Sequence, residues 1–526
     1  MAKRYLPVDR SQPFLLPPSV QDFVPEDDLA WFLIDAVAAM DTTVFHRRAR
    51  LGGAGRAGYD PDMLLTLLVY AYCLGQRSSR RIEQLCVRDL GFKVITGNRV
   101  VDHSTIAEFR AVHQDAVKTL FAEVLLLCAK AGLNQVGLVA VDGTKMAAAA
   151  GLGKTRERDT LAREHVRLAA QVDAMLAEAA AADAGEDGLF GPGRRGDELP
   201  VALRRKTDRL ARLTETLRQI DQARAEHDEN EHAVDTDHPH QPDQVATAQR
   251  KLDREITRRD QRIVKEHAAG RRLPGSRPDF DARIAAAQAE LAAAQTAAQT
   301  GHPGTDLTVR PDCRVEHLPS AARRGNATDP DSRILKTTRG WIQGYNAQVA
   351  AFRAHGHRIV LAAEVTQDAN DVNQAVPMMN LATTNAAHAG MDSIDIIVFD
   401  AGYWSEDNLT TPGPDRLIAP GKNRTLLADL RTNGYATGEA PSDAGPADTM
   451  RHRLKTQTGA ETYAQRAPTV EPVFADHKHG RNITGFHRRG LPAADSEWKL
   501  IHATGNLTTL HRHHTKTTQT SRNHPT

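Results

Sequence analysis

Two aspartates stand directly after runs of apolar, β-branched residues. Val136-Gly-Leu-Val-Ala-Val-Asp142 and Ile394-Asp-Ile-Ile-Val-Phe-Asp400 each read as a strand with a carboxylate at its tip, and each has a glycine close behind, Gly143 and Gly402. A carboxylate after a buried strand emerges at the C-terminal edge of an α/β sheet, where such sheets build their sites. With the two strands side by side the carboxylates meet, and each raises the other's pKa unless a cation intervenes. A hard divalent ion, Mg²⁺ or Mn²⁺, answers that need. A third carboxylate, Glu471, falls in the first turn of a helix opening at Thr469, and Lys478 follows close to two turns later on the same face. Each residue alone reads as readily as a cap or a turn. Their conjunction points to metal-dependent chemistry.

These residues need elements to hold them. Residues 1 to about 130 are helical in pattern: Pro61 opens a helix carrying Met63, Leu64, Leu67, Leu68 and Ala71, and a polar stretch, Gly75 to Arg81, separates it from Ile82, Leu85 and Cys86. A cap at Ser104 or Thr105 starts a further short helix. Helix, basic turn, helix is the pattern of helix-turn-helix DNA-binding modules, and equally of helical bundles with other purposes. Residues 151–310 shift to Ala, Arg, Glu, Asp and Gln with narrow apolar seams (Leu161, Leu168, Val172, Met175; Leu210, Leu213, Leu217, Ile220), as in long helical hairpins or a dimerising coil. His238 and His240 there are flanked by Pro239 and Pro242, which deny them a helical ligand spacing. From residue 311 the pattern is α/β: strands over Trp341–Phe352 and Arg358–Thr366 joined at His355-Gly356, a helix from Val372, and a further strand at Arg416–Pro420.

Composition bounds the rest. The chain has 526 residues, 67 Lys plus Arg against 66 Asp plus Glu, and four scattered cysteines with no CxxC, which excludes a disulfide framework or a zinc ribbon. No run of about 18 apolar residues exists, so no membrane span is expected, and MAKRYLPVDR is no secretory signal. A reduced, cytoplasmic protein is expected. The near-zero net charge hides local bias. From Lys422 onward, 15 Lys plus Arg face 9 Asp plus Glu, and Leu510-His-Arg-His-His-Thr-Lys516 is basic enough to meet phosphate.

The order of short motifs resembles the DDE transposases of bacterial insertion sequences, and within them the IS1182 group, related to the IS5 and IS4 families. The resemblance spans nearly the whole chain. Its N-terminal part carries Tyr59-Asp-Pro-Asp-Met-Leu64, Gly75-Gln-Arg-Ser-Ser-Arg-Arg-Ile-Glu83 and Asp102-His-Ser-Thr-Ile106. The core carries Val141-Asp-Gly-Thr-Lys145, Gly196-Asp-Glu-Leu-Pro200, Asp329-Pro-Asp-Ser-Arg333, Gly344-Tyr-Asn-Ala-Gln348 and Asp368-Ala-Asn-Asp371. Asp400-Ala-Gly-Tyr-Trp-Ser405, Thr469-Val-Glu-Pro-Val-Phe474 and Glu497-Trp-Lys-Leu500 complete it.

The resemblance implies an α/β fold with an RNase H-like mixed-sheet core (131–150 and 311–510) split by the helical insertion (151–310). It implies an N-terminal helix-turn-helix-like DNA-binding domain (1–130) ahead of that core, with a basic disordered tail (511–526) behind it. Asp142, Asp400 and Glu471 match the three catalytic, metal-holding acids, with two Mg²⁺ as cofactor and Mn²⁺ as a substitute. The reaction implied is strand cleavage at the element's terminal inverted repeats and strand transfer into target DNA. The partner is DNA, and a homodimer in the synaptic complex, nucleoid-associated, is expected. Tyr463, Arg466 and Lys478 match the signature around the third acid, although Arg466 and Glu471 stand one residue further apart than the usual spacing. Lys145 and Arg333 are candidates for phosphate contact or for pairing with nearby acids, and Trp404 for stacking on an extruded base or covering the core. Val101 and Ala475 replace a usual proline and glycine. The alternatives are a catalytically inactive relative that only binds DNA, and a coiled-coil scaffold built on 151–310.

Overall fold

The structure is a computed structural model. It describes residues 19–47, 58–190 and 201–237, scattered positions between 249 and 292, and residues 320–421 and 423–523. The Gly196–Pro200 motif, His238, His240 and Cys313 lie outside these. The described residues fall into two compact units, one within 1–156, 168–213 and 326–526, the other within 157–167 and 214–325.

The first unit opens with seven helices: α1 (Leu29–Ala38), α2 (Thr43–His46), α3 (Pro61–Cys73), α4 (Ser79–Arg88), α5 (Leu90–Thr96), α6 (His103–Val112) and α7 (Ala116–Lys130). Local chemistry sets their ends. The Asp60 carboxylate accepts the Asp62 N–H, and Pro61, which has no N–H to leave unpaired, fills the first turn of α3. The cap of α6 is Asp102, whose Oδ1 accepts the Ser104 N–H at 2.7 Å, two residues before the expected Ser104 and three before Thr105. A carboxylate there accepts more strongly than a hydroxyl.

The sheet is built from β1 (Gly137–Ala147), β4 (Arg333–Thr337), β5 (Gly340–Ala354), β6 (His357–Thr366), β7 (Ile394–Phe399) and β8 (Asp415–Ile418), while β2 (Thr155–Glu157) and β3 (Arg324–Asn326) form a separate ladder. Strand β5 pairs antiparallel with β1 on one edge and with β4 and β6 on the other; β1, β7 and β8 run parallel. The β5–β6 turn is His355-Gly356 with φ of 49° and 77°, the left-handed pair that matches strand twist in a two-residue hairpin. Between β6 and β7 lies helix α10 (Ala375–His388).

Side chains alternate across the sheet with period two. Val139, Val141, Ile397 and Phe399 face a core shared with α1, α3 and α7. Ala140, Val398 and Leu417 face a second, smaller core with Met450, Tyr463 and Val470. That second core is closed by α12 (Pro446–Lys455), α13 (Gln457–Ala464) and α14 (Arg466–Ala475), which follow α11 (Asn423–Asn433).

The last helix, α15 (Leu491–Asn523), covers the outer edge of β6. Asn506 accepts the Val360 N–H and donates to the Val360 carbonyl, both at 2.8 Å, so an edge that would otherwise present unpaired backbone is closed. The helix continues through 511–523, where a disordered tail was expected. At the start of that stretch His511 contacts the Asp27 carbonyl at 2.9 Å.

In the second unit α8 (Arg158–Phe190) begins and α9 (Val201–Asp237) continues, long helices as the seams predict. Arg158 pairs with Asp221, and Arg224 donates to the Ala322 carbonyl at 2.8 Å. Cys73, Cys86 and Cys128 are buried and unbridged. No helix among the described residues is long and apolar enough to cross a membrane.

Candidate functional site

Ala140 and Val398 are registered partners in the parallel β1–β7 ladder. Two residues further along each chain, Asp142 and Asp400 therefore arrive on one face at one level. The parallel ladder stops at Ala140↔Val398, while β1 goes on pairing with β5 as far as Ala147↔Gly344. Asp142 thus sits within its strand, not at the strand end that the apolar run suggests. Asp400 lies just past β7, where its Oδ1 accepts the Gly402 N–H at 2.9 Å and caps a 3₁₀ turn over Ala401–Tyr403.

Neither glycine makes a left-handed turn. Gly143 stays extended inside β1, and a Cβ there would strike the Gln348 amide and come 2.6 Å from Asp371 Oδ1. At Gly402 a Cβ would lie 3.1 Å from Asp400 Oδ1 and 3.3 Å from Asp371 Oδ2. Both glycines make room for a carboxylate absent from the sequence-derived site. Asp371 is that fourth acid. Its Oδ1 accepts from Asn346 at 2.7 Å, from Gln348 at 2.9 Å and from Lys145 at 3.3 Å. Gln348 in turn accepts from the Tyr403 hydroxyl, and its backbone carbonyl accepts the Trp498 indole N–H at 2.9 Å. The Asp368–Asp371 motif, immediately after a buried strand, was the signal that could have marked it.

Burial pushes the Asp142 carboxyl up to about 6; Arg466, 3.1 Å away, pulls it down and the Asp400 charge pushes it up. Burial also lowers the Arg466 guanidinium, but Asp142, Tyr463 and Asp400 outweigh it and hold the pKa above its usual value. Tyr463 is buried behind Arg466 in the smaller core. Lys478 donates to the Thr144 hydroxyl, and burial lowers its pKa with Asp142 opposing. Lys478 reaches β1 because α14 passes into a π-helical turn, Asp476–Gly480, which rotates the chain back toward the sheet.

Glu471 is placed differently. Helix α14 starts at Arg466, three residues before the expected Thr469, so Glu471 is in its middle. Thr469, Val470 and Val473 are the buried face, and at roughly 100° per residue Glu471 stands about 140° round from Arg466. It is exposed. The largest charge effects on Asp142 come from Arg466 and Asp400. Among the described residues, His46–Asp60–Asp62 and Glu83–Asp102–His103 bring three such ligand atoms within 4.8 Å of one another; Asp142, Asp400 and Glu471 do not.

The remaining candidates divide by contact. Lys145 pairs with Asp371. Arg333 turns into its own loop, donating to the Pro330 carbonyl at 2.7 Å and the Ser332 carbonyl at 3.1 Å. Trp404 is half-buried between the two cores, with the Arg451 guanidinium 5.3 Å from its ring centre.

The donor set suits a hard divalent cation. Asp142 and Asp400 offer oxygen ligands, and burial plus a neighbouring negative charge raises the cost of leaving Asp142 ionised without a counter-charge.

Comparison with known families gives two matches. Residues 18–112 match the family described as Transposase domain (DUF772). Residues 440–511 match the Transposase DDE domain. No curated protein and no solved structure matches the chain. The first match covers α1 to α6, and the second contains Tyr463, Arg466, Glu471 and Lys478, of which Arg466 pairs with Asp142; together the two matches support a DDE transposase of an insertion sequence.

Proposed function

We propose that the protein cuts DNA at the terminal inverted repeats of its element and joins the freed ends to target DNA, as a member of the IS1182 group with an RNase H-like core. The single observation that carries this reading is the register of β1 with β7, which brings Asp142 and Asp400 to one face beside Arg466. The sheet order supports the fold: three antiparallel strands (β6, β5, β1) continued by two parallel ones (β7, β8).

Asp142 and Asp400 would hold divalent cations; Glu471, the third acid of the resemblance, is exposed on α14 and does not stand with them. Two Mg²⁺ ions bound there would activate the attacking oxygen and stabilise the leaving one. In cleavage, water attacks the terminal phosphorus in line, the P–O3′ bond breaks, and a 3′-hydroxyl and a 5′-phosphate result. In strand transfer that hydroxyl attacks a target phosphodiester and displaces its 3′ oxygen. Arg466 and Lys478 neutralise phosphate charge beside the acids. Asp371, fixed by three donors, positions β1 against the turn after β7. Trp404 is placed at the rim, where stacking on an unpaired base is compatible with its Arg451 partner.

The outward face of Glu471 favours a second reading, a protein that binds element ends without cutting them. A supercoiled-plasmid nicking assay with Mg²⁺ separates the two. Wild type should nick, and Asp142→Ala should lose at least about 10³-fold of the rate. Equal rates in both would remove the site assignment, and no nicking by wild type with intact end binding would favour the second reading.

A further inference from the structure

The end of the sheet away from Asp142 carries a separate feature. From Val349, the partner of Asp142, β5 runs on to Ala354 before the His355-Gly356 turn, roughly 17 Å at about 3.4 Å per residue. Beside that turn, α15, the π-helical turn and β6 enclose a cleft of about 300 Å³. It is lined by His357, Arg358, Arg481, His502, Arg512 and Lys516. The one acid lining it, Asp476, is already paired with Arg481 at 2.7 Å.

Three observations mark the cleft as built to receive an anion. Arg481 Nε and His502 Nε2 are buried and have no hydrogen-bond partner, with the Arg481 side chain 8% exposed and His502 1% exposed. Such groups are normally satisfied. Gly505, within helix α15, lines the cleft, and a Cβ there would come 3.3 Å from Arg481 Nη2. Basic side chains also gather at the mouth, where exposed Arg512 and Lys516 stand beside His357.

We propose that this cleft takes a backbone phosphate of duplex DNA, a contact separate from the carboxylate site. The assignment to DNA rests on the proposed function. It is favoured over a small free anion because the positive charge spreads outward along exposed Arg353, His355 and Arg512 instead of closing round one ion.

The test uses the full chain and a fluorescent duplex carrying an element end, with anisotropy read at several NaCl concentrations. Arg512 and Lys516 are exposed, so Arg512→Gln with Lys516→Gln should fold, and a thermal melt checks it. The double variant should bind more weakly, and its slope of log affinity against log salt should be shallower by about 0.9, the loss of one phosphate contact. Lys516→Glu should weaken binding further. Unchanged slopes in folded variants would overturn the proposal. So would millimolar inorganic phosphate giving a binding heat that the double variant abolishes while its DNA slope stays wild type, which marks a free-anion site. Asp142→Ala separates the two ideas: it should lose nicking and keep the wild-type slope. Loss of slope in the cleft variants stands even if wild type proves unable to nick.

Discussion

Asp142 and Gly143 set the terms at the smallest scale, because one carries the charge and the other makes the room. Gly143→Ala puts a methyl 2.6 Å from Asp371 Oδ1, inside the Gln348–Asp371–Lys145 hydrogen-bond set. Overpacking of this kind costs about 1–3 kcal/mol, and under the metal role proposed for Asp142, disturbing the groups behind it costs on the order of 10–100-fold in activity. Urea denaturation and plasmid nicking of this variant should show both effects; a fully active, equally stable protein would mean the close approach does not matter. Asp142 gives a pH signature. Its carboxyl rises from an ordinary 3.8 to about 6 on folding, so the folded state holds the proton more tightly. The stability this contributes is present below the ordinary value and is lost as pH rises through about 6. Asp142→Asn removes the loss. In metal-free buffer its Tm relative to wild type should climb between about pH 4 and 6 and level off above. A difference that stays flat across that window would contradict the burial assigned to Asp142.

Elements decide which of these residues meet. Arg77 in the loop before α4 and Glu497 in α15 form a buried pair at 2.7 Å, and Glu497 also accepts the His487 and Arg488 N–H groups. Arg77→Met leaves that carboxylate buried without its cation, which costs about 3–5 kcal/mol. Chemical denaturation should show the drop, with much of it recovered when Glu497→Leu is added; an unaffected single variant would mean that water reaches the pair. The apolar runs before Asp142 and Asp400 were readable as strands because a buried strand has its own composition. Period two then accounts for the shared face. Asp371 carried one local signal, its place just after a buried strand, but its share in this site depends on β6 lying beside β5 and on two glycines leaving space, and neither is local. Glu471 and Lys478 were expected on one face from an uninterrupted 3.6-residue repeat. The π-helical turn breaks that repeat between them, and helical periodicity carries no sign of it.

For the whole chain, the N-terminal helices and the sheet do not own separate cores. Leu33, Leu65, Tyr72 and Val124 belong to the same buried cluster as Val139, Phe352, Leu361 and Trp498. The boundary expected near residue 130 therefore marks a change of secondary structure and no gap in packing. The other unit, by contrast, carries pairs of its own, such as Arg158 with Asp221 between the two long helices and Arg324 with Glu157 between β3 and β2. A common core has an evolutionary corollary. Grafting foreign helices onto this sheet would expose one half of an interlocked interior and mismatch the other. Any change in what the N-terminal helices contact is expected at outward-facing side chains in place, and lineages of such proteins should diversify by point substitution, not by exchange of modules.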